Sequence, residues 1–78
     1  MKIYIVMNRY KNLSGNSGVA YYEIGSEYIK VRFNYSNTIY TYSYLKAGEQ
    51  HVENMKSLAE NGRGLSSYIA RNVSTLYD

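Results

Sequence analysis

The hydrophobic pattern of this chain changes its period near Ala47-Gly48, and this change constrains the fold more than any other feature. Before it, apolar and polar residues alternate as they do in half-buried strands. After it, apolar residues recur at helical spacing, at Val52, Met55, Leu58 and Ala59. Because strands come first and helices second, the pattern predicts an α+β domain. Its antiparallel sheet of three to four strands is followed by two helices packed on one face.

Four segments before the change of period have the alternation of strands. We predict strands over 2–7, 19–24, 28–35 and 38–45, with the last three joined by short turns into an antiparallel meander. The polar stretch from Asn8 to Gly18 is predicted to be a loop. In segment 28–35, Lys30 and Arg32 alternate with the apolar residues at 29, 31 and 33. One face of this strand is therefore apolar and the other is basic.

Two helices are predicted after the sheet. The first runs from Glu49 to Asn61 and is stopped by Gly62. The second follows Gly64 and has apolar residues at i, i+4, i+8 and i+11, namely Leu65, Ile69, Val73 and Leu76. With 78 residues, the chain is predicted to be a single domain over residues 1–78. A domain of this size buries only about 60% of the surface that its unfolded chain exposes, so its stability margin is small.

Residues able to carry out catalysis are scarce. The chain has no Cys and one His, His51, so we expect no disulfide, no thiolate nucleophile and no zinc site of ordinary composition. A Ser, His and acid set is formally available from a helix Ser with His51 and Glu53. No nucleophile elbow or oxyanion donor accompanies it at a recognisable spacing. We therefore predict no enzyme activity, no metal and no cofactor.

Charge and the first residues bear on partners and location. The net charge of +3 favours contact with something acidic. The apolar start of the chain is interrupted by Asn8 and Arg9, well short of a membrane span or a secretory segment. A cytoplasmic protein without membrane contact is therefore expected.

Three tyrosines, Tyr40, Tyr42 and Tyr44, alternate with Thr41 and Ser43. Strand alternation puts their three rings on one face of the sheet. If that face also carries the basic residues, rings and cations form a platform for single-stranded bases, where each stacked base contributes roughly 1–3 kcal/mol. If the rings lie instead on the apolar face under the helices, they belong to the core. Both alternatives are open from the sequence.

Further candidate binding residues lie in segment 28–35 and near the junction of the two helices. Lys30 and Arg32 are the clearest cationic pair, and Arg63 and Arg71 near the helix junction are candidates for phosphate contacts. Lys30 and Arg32 are explained equally well as residues of a solvated sheet face, since exposed charges on a strand deter its pairing with another strand. Tyr21 and its neighbour Tyr22 point to opposite faces, so one of them is exposed in either arrangement.

Several of these segments resemble a known family in their order and spacing. They are the opening Ser17-Gly18-Val19, the two strands that begin at Val19 and Tyr28, Tyr40 with Tyr42, the run from Ala59 to Gly64, and Tyr68-Ile69 with Arg71. In these features the chain resembles the KTSC domain over about residues 17–73, with 1–16 as an N-terminal strand and loop extension. The resemblance implies a small stand-alone module that binds RNA.

Two functional hypotheses follow. In the first, the protein binds RNA or another single-stranded nucleic acid through a basic and aromatic sheet face. In the second, it is a phage or mobile-element inhibitor or adaptor, such as an anti-CRISPR protein, whose exposed tyrosines anchor a protein partner. An edge strand in so short a chain also leaves a homodimer open.

Overall fold

The computed structural model describes residues 7–78 and confirms the predicted α+β class. A four-stranded antiparallel sheet with the order β1-β2-β3-β4 precedes the helices. The strands are β1 (Asn8–Arg9), β2 (Val19–Ile24), β3 (Tyr28–Phe33) and β4 (Ile39–Ser43). The helices are α1 (Glu49–Asn61) and α2 (Leu65–Tyr68), and α2 continues directly as the π-helix Ile69–Val73. In the described part of the chain, no helix is long and apolar enough to cross a membrane.

The start of the sheet differs from the prediction. Of the strand predicted over 2–7, residues 2–6 lie outside the described residues, and Met7 precedes β1. The loop predicted from Asn8 to Gly18 is wrong at its beginning, because Asn8 pairs with Tyr22 and Arg9 with Tyr21. An exposed edge strand accepts polar residues, so its presence depends on pairing with β2 and not on hydrophobic alternation.

The register of the two central pairs divides the sheet into two faces. Ile29 lies opposite Tyr42 and Val31 opposite Tyr40, whereas Lys30 lies opposite Thr41. Directly opposed residues of an antiparallel pair share a face. We call the face of Ile29 and Val31 the core face and the face of Lys30 the open face. The core face packs on the helices, and the buried core comprises Tyr10, Val19, Ile29, Val31, Tyr42, Ala47, Val52, Met55, Ala59, Leu65, Ile69 and Val73.

The second helix is not the regular α-helix that its spacing predicts. One α-helical turn ends at Tyr68, and the next turn is a π-helix. In an α-helix, residues four apart overshoot one turn by about 40°. The wider π-helical turn compensates for this overshoot, and Leu65, Ile69 and Val73 are all buried. The four-residue repeat of apolar residues therefore favours a helix of mixed winding.

Candidate nucleic-acid interface

The open face combines cations with aromatic rings. Strand β3 contributes Tyr28, Lys30 and Arg32, which alternate with its buried residues. Strand β2 adds Tyr21, opposite Arg32, and Glu23, opposite Lys30. All five side chains are partly exposed. At the edge of the sheet, Arg9 of β1 is exposed. It pairs with β2 and extends the basic surface.

Each cation of β3 lies over a tyrosine ring of this face. The Arg32 guanidinium carbon is 4.6 Å from the centroid of the Tyr21 ring. The Lys30 ammonium nitrogen is 5.5 Å from the centroid of the Tyr28 ring. Both distances are within the range of cation–π attraction. The two pairs hold positive charge and flat aromatic surface side by side across neighbouring strands.

Tyr28 is held in place by an acid and by a glycine. Its hydroxyl donates a hydrogen bond to Glu23 Oε2 at 3.1 Å. This hydrogen bond, followed by the negative charge of Glu23, raises the pKa of Tyr28. A Cβ built on Gly25 would lie 2.1 Å from the Tyr28 ring. The ring therefore packs directly against the Gly25 backbone, which only a glycine permits.

Arg32 also contacts the turn that joins β3 to β4. Its Nη1 donates to the Ser36 carbonyl at 3.3 Å and reaches Asn37 Oδ1 at 3.5 Å. One guanidinium thus packs on Tyr21 and anchors the neighbouring turn. Its position is set by these contacts before any ligand binds.

The structure decides between the two alternatives for the three alternating tyrosines. Tyr42 is only 2% exposed and belongs to the core, while Tyr40 and Tyr44 are half-buried and pack against it. A platform of these rings beside Lys30 and Arg32 is therefore not formed. The register is the reason, since Tyr40 and Tyr42 oppose the core residues of β3 and not its cations.

Tyr44 instead joins the end of β4 to α1. Its hydroxyl donates a hydrogen bond to a carboxylate oxygen of Glu53, and Lys56 lies 2.8 Å from the same oxygen. The hydrogen bond to Glu53 is the main cause that raises the pKa of Tyr44 to about 12. Lys56 first and Tyr44 second lower the pKa of Glu53. Lys56 also donates to the Ser26 carbonyl at 3.0 Å, which ties the β2–β3 turn to the helix.

Arg63 and Arg71 do not join the open face. Both are exposed, but Arg63 follows α1 and Arg71 lies on the π-helix, in the layer that packs on the core face. The sheet separates them from Lys30 and Arg32. Of the predicted binding residues, Lys30 and Arg32 are the two that lie on the open face.

Two residues of the open face, Tyr21 and Tyr28, were absent from the predicted set. Tyr28 could have been found from the alternation that revealed Lys30 and Arg32, because it precedes Lys30 by two positions. For Tyr21, the sequence indicated only that it and Tyr22 take opposite faces. The β2–β3 register was needed to assign Tyr21 to the open face.

A second aromatic surface lies where the core face meets the π-helix. Tyr35 stacks on Phe33 with a centroid distance of 5.5 Å, and Tyr40 packs edge-on against Tyr77 at 4.9 Å. These rings and Tyr42 border a cleft of about 370 Å³, which we call the aromatic groove. Ile69 and Ala70 form part of its opposite wall.

His51 takes part in a hydrogen-bonded contact between the two helices. Its Nδ1 is 2.7 Å from the hydroxyl of Tyr68, which also accepts a hydrogen bond from Asn54 Nδ2 at 3.0 Å. These contacts link α1 to α2. Within residues 7–78, no three His, Cys, Asp or Glu side chains are grouped closely enough to hold a metal ion.

The fold and the open face together define a small α+β domain with a basic and aromatic sheet surface. No family model matches the chain, and no curated protein or solved structure is significantly similar to it. The resemblance to the KTSC domain therefore stays a prediction.

Proposed function

We propose that this protein binds single-stranded nucleic acid, RNA or DNA, across the open face of its sheet. The observation that carries the proposal is the pairing of Arg32 with the Tyr21 ring and of Lys30 with the Tyr28 ring on that face. The net charge of +3 agrees in sign with a polyanionic ligand.

The two residue types have separate roles in this proposal. Lys30 and Arg32 contact phosphates, and Arg9 extends this contact to the edge strand. Tyr21 and Tyr28 offer ring surface on which bases stack, with roughly 1–3 kcal/mol for each stacked base. Stacking needs no base-specific hydrogen bond, so we expect little sequence preference.

A matched pair of double variants tests the charges. Lys30→Ala with Arg32→Ala removes two cations from the open face, and Arg63→Ala with Arg71→Ala removes two from the helix layer. Anisotropy titrations of labelled oligouridylate and oligothymidylate at several salt concentrations measure both. We expect the first variant to bind more weakly, with a salt slope smaller by about 1.4 for two lost phosphate contacts, and the second to bind like the wild type.

A third variant tests the rings without changing charge. Gly25→Ala places a methyl group where the Tyr28 ring lies, so the ring has to move away. We expect weaker binding and less quenching of tyrosine fluorescence by the oligonucleotide, with the salt slope unchanged. If Lys30→Ala with Arg32→Ala and Gly25→Ala both bind as tightly as the wild type, the proposal is wrong. The protein-binding inhibitor or adaptor then becomes the better hypothesis.

A further inference from the structure

A polar cleft, which we call the Tyr21 cleft, lies at one end of the sheet. It is bordered by the end of β1, by the start of β2 and by the residue that follows β3. These three places meet at the same end because the strands are adjacent and antiparallel. The cleft has a volume of about 360 Å³, near the lower end of the range for ligand pockets. Its lining includes Arg9, Lys11, Ser17, Ala20, Tyr21 and Asn34.

An irregularity of β2 lies at this cleft. Val19 pairs with Phe33 and Tyr21 pairs with Arg32, so Ala20 is an extra residue without a partner of its own in β3. Such bulges occur often at sheet edges and beside binding sites. The side chain of Ala20 is a single methyl group, which fills little of the cleft that it borders.

Hydrogen bonds fix the borders of the cleft. Asn12 Oδ1 accepts from the Ser17 N–H at 2.9 Å, which closes the segment between β1 and β2 on itself. Ser17 Oγ accepts from the Val19 N–H at 3.2 Å, so the hydrogen of this hydroxyl is able to donate to another group. The Asn34 N–H donates to the Gly18 carbonyl at 2.8 Å. The cleft is therefore formed before any ligand binds.

The two ends of the open face differ in charge. Arg9 and Lys11 border the Tyr21 cleft, and no acidic residue among residues 7–78 does so. The cleft at the opposite end of the open face is bordered by Lys30 together with Glu27 and Asp78. Positive charge is therefore in excess at the first end and negative charge at the second. The most negatively charged part of a bound polyanion is attracted to the Tyr21 cleft.

In a single strand of nucleic acid, a phosphorylated end is the part with the highest charge. A phosphate monoester carries about −1.5 to −2 charges at pH 7 and has three acceptor oxygens. An internal phosphate is a diester with a single negative charge. An end also suits the position of the cleft, because a strand lying along the open face reaches the limit of the sheet there.

We propose that the Tyr21 cleft binds the terminal phosphate monoester of the nucleic-acid strand that lies on the open face. Arg9 and Lys11 supply positive charge, while the Ser17 hydroxyl and the Asn34 amide supply hydrogen-bond donors. End binding in this cleft rests on the proposed function of the open face. It adds a preference for phosphorylated ends, which stacking on the rings does not provide.

Competition between unlabelled oligothymidylates of equal length tests this preference. One has a 5′-phosphate, one a 3′-phosphate and one hydroxyl groups at both ends. Each displaces an internally labelled oligothymidylate with hydroxyl ends, and fluorescence anisotropy measures the displacement. For the wild type, we expect one phosphorylated form to bind about tenfold more tightly than the hydroxyl form, the effect of one hydrogen bond to a charged group. The preferred form identifies the end that enters the cleft.

Variants assign the preference to the cleft. Arg9→Ala with Lys11→Ala removes both of its cations and should bring the ratio of the two affinities close to one. Arg63→Ala with Arg71→Ala removes the same charge from the helix layer and should keep the ratio of the wild type. Asn34→Asp places a negative charge on an exposed residue of the cleft and should also lower the ratio. It decides the question if circular dichroism shows that the first double variant is unfolded.

The hydroxyl-ended oligonucleotide separates end binding from the proposed function. If it binds to the wild type as tightly as both phosphorylated forms do, end binding is wrong and the open face keeps its proposed function. A preference that the variants of the cleft leave unchanged would likewise overturn the assignment to the Tyr21 cleft. If no oligonucleotide binds, the proposed function fails and end binding fails with it.

Discussion

At the scale of single residues, tyrosines within residues 7–78 lie in contrasting environments. Tyr42 is 2% exposed beneath the helices, whereas Tyr21 and Tyr28 lie on the open face beside cations. A tyrosine suits both places because its ring is apolar and its hydroxyl is polar. Residue type alone therefore does not reveal which tyrosines form the core and which form a binding surface.

The buried phenol of Tyr42 predicts a specific loss of stability at high pH. Burial first, and the neighbouring Tyr40 second, raise the pKa of Tyr42 from 10.0 to about 12. The pKa of Tyr42 is higher in the folded than in the unfolded state. The contribution of its neutral phenol to the free energy of unfolding is therefore complete below pH 10 and is lost as the pH rises towards 12. Tyr42→Phe has no ionisable group at this position. Its free energy of unfolding, from urea titrations, should therefore decline less steeply over that range than the wild type's.

Tyr35→Phe is the matched control for this experiment. It also removes one phenol, but Tyr35 is 74% exposed. We expect the decline of its unfolding free energy with pH to stay closer to that of the wild type than the decline for Tyr42→Phe does. Equal declines for the two variants would contradict the burial argument.

At the scale of elements, the end of α1 depends on Gly62. Its φ is 75°, and its N–H donates to the carbonyls of Leu58 and Ala59. A Cβ at this position would lie 2.6 Å from the Cβ of Lys11. The helix end is therefore closed by a left-handed residue in close contact with the segment that follows β1. The contacted atom is at the base of the Lys11 side chain, so rotation of that side chain does not relieve the contact.

Gly62→Ala should destabilise the protein for two reasons. The left-handed conformation costs about 1–2 kcal/mol for a residue with a Cβ, and the contact with Lys11 adds to this cost. Gly15→Ala is the matched control, because Gly15 has a φ of 83° and no atom within 4 Å of a built Cβ. Urea unfolding should show a larger loss for Gly62→Ala than for Gly15→Ala. Equal losses would mean that the Lys11 contact relaxes without cost.

At the scale of the whole molecule, Tyr10 joins the sheet to the helix layer. It is 3% exposed, and its N–H donates to the Ala20 carbonyl of β2 at 2.9 Å. Its hydroxyl accepts a hydrogen bond from the Leu65 N–H at 3.3 Å. Leu65 is the first residue of α2, where an N–H has no partner within the helix. One side chain thus supports both layers.

Tyr10→Phe should weaken this connection without changing the packing of the ring. The buried Leu65 N–H loses its acceptor, which costs roughly 1–3 kcal/mol. Urea unfolding measures the loss, and hydrogen exchange should show faster exchange of the Leu65 amide. Tyr35→Phe, which alters an exposed ring, should leave both unchanged. Unaltered exchange at Leu65 in Tyr10→Phe would show that the hydrogen bond contributes little.

The elements with strong periodicity were predicted well. The predicted bounds of β2 and α1 match the structure, because alternation and a glycine stop signal are local properties of the chain. The strand predicted over 28–35 ends at Phe33, and the one over 38–45 narrows to Ile39–Ser43. Strand ends depend on pairing partners, which the local pattern does not contain.

The local pattern of residues predicts the fold class and the face on which Lys30 and Arg32 lie, because both depend on periods of two and 3.6 residues. Which tyrosines accompany these cations depends instead on how the strands pair. The β2–β3 register placed Tyr21 beside Arg32, and the β3–β4 register placed Tyr42 in the core. The folding of the whole chain also brings Asp78 to the edge of β4. These contacts join residues far apart in the chain, so no local pattern could specify them.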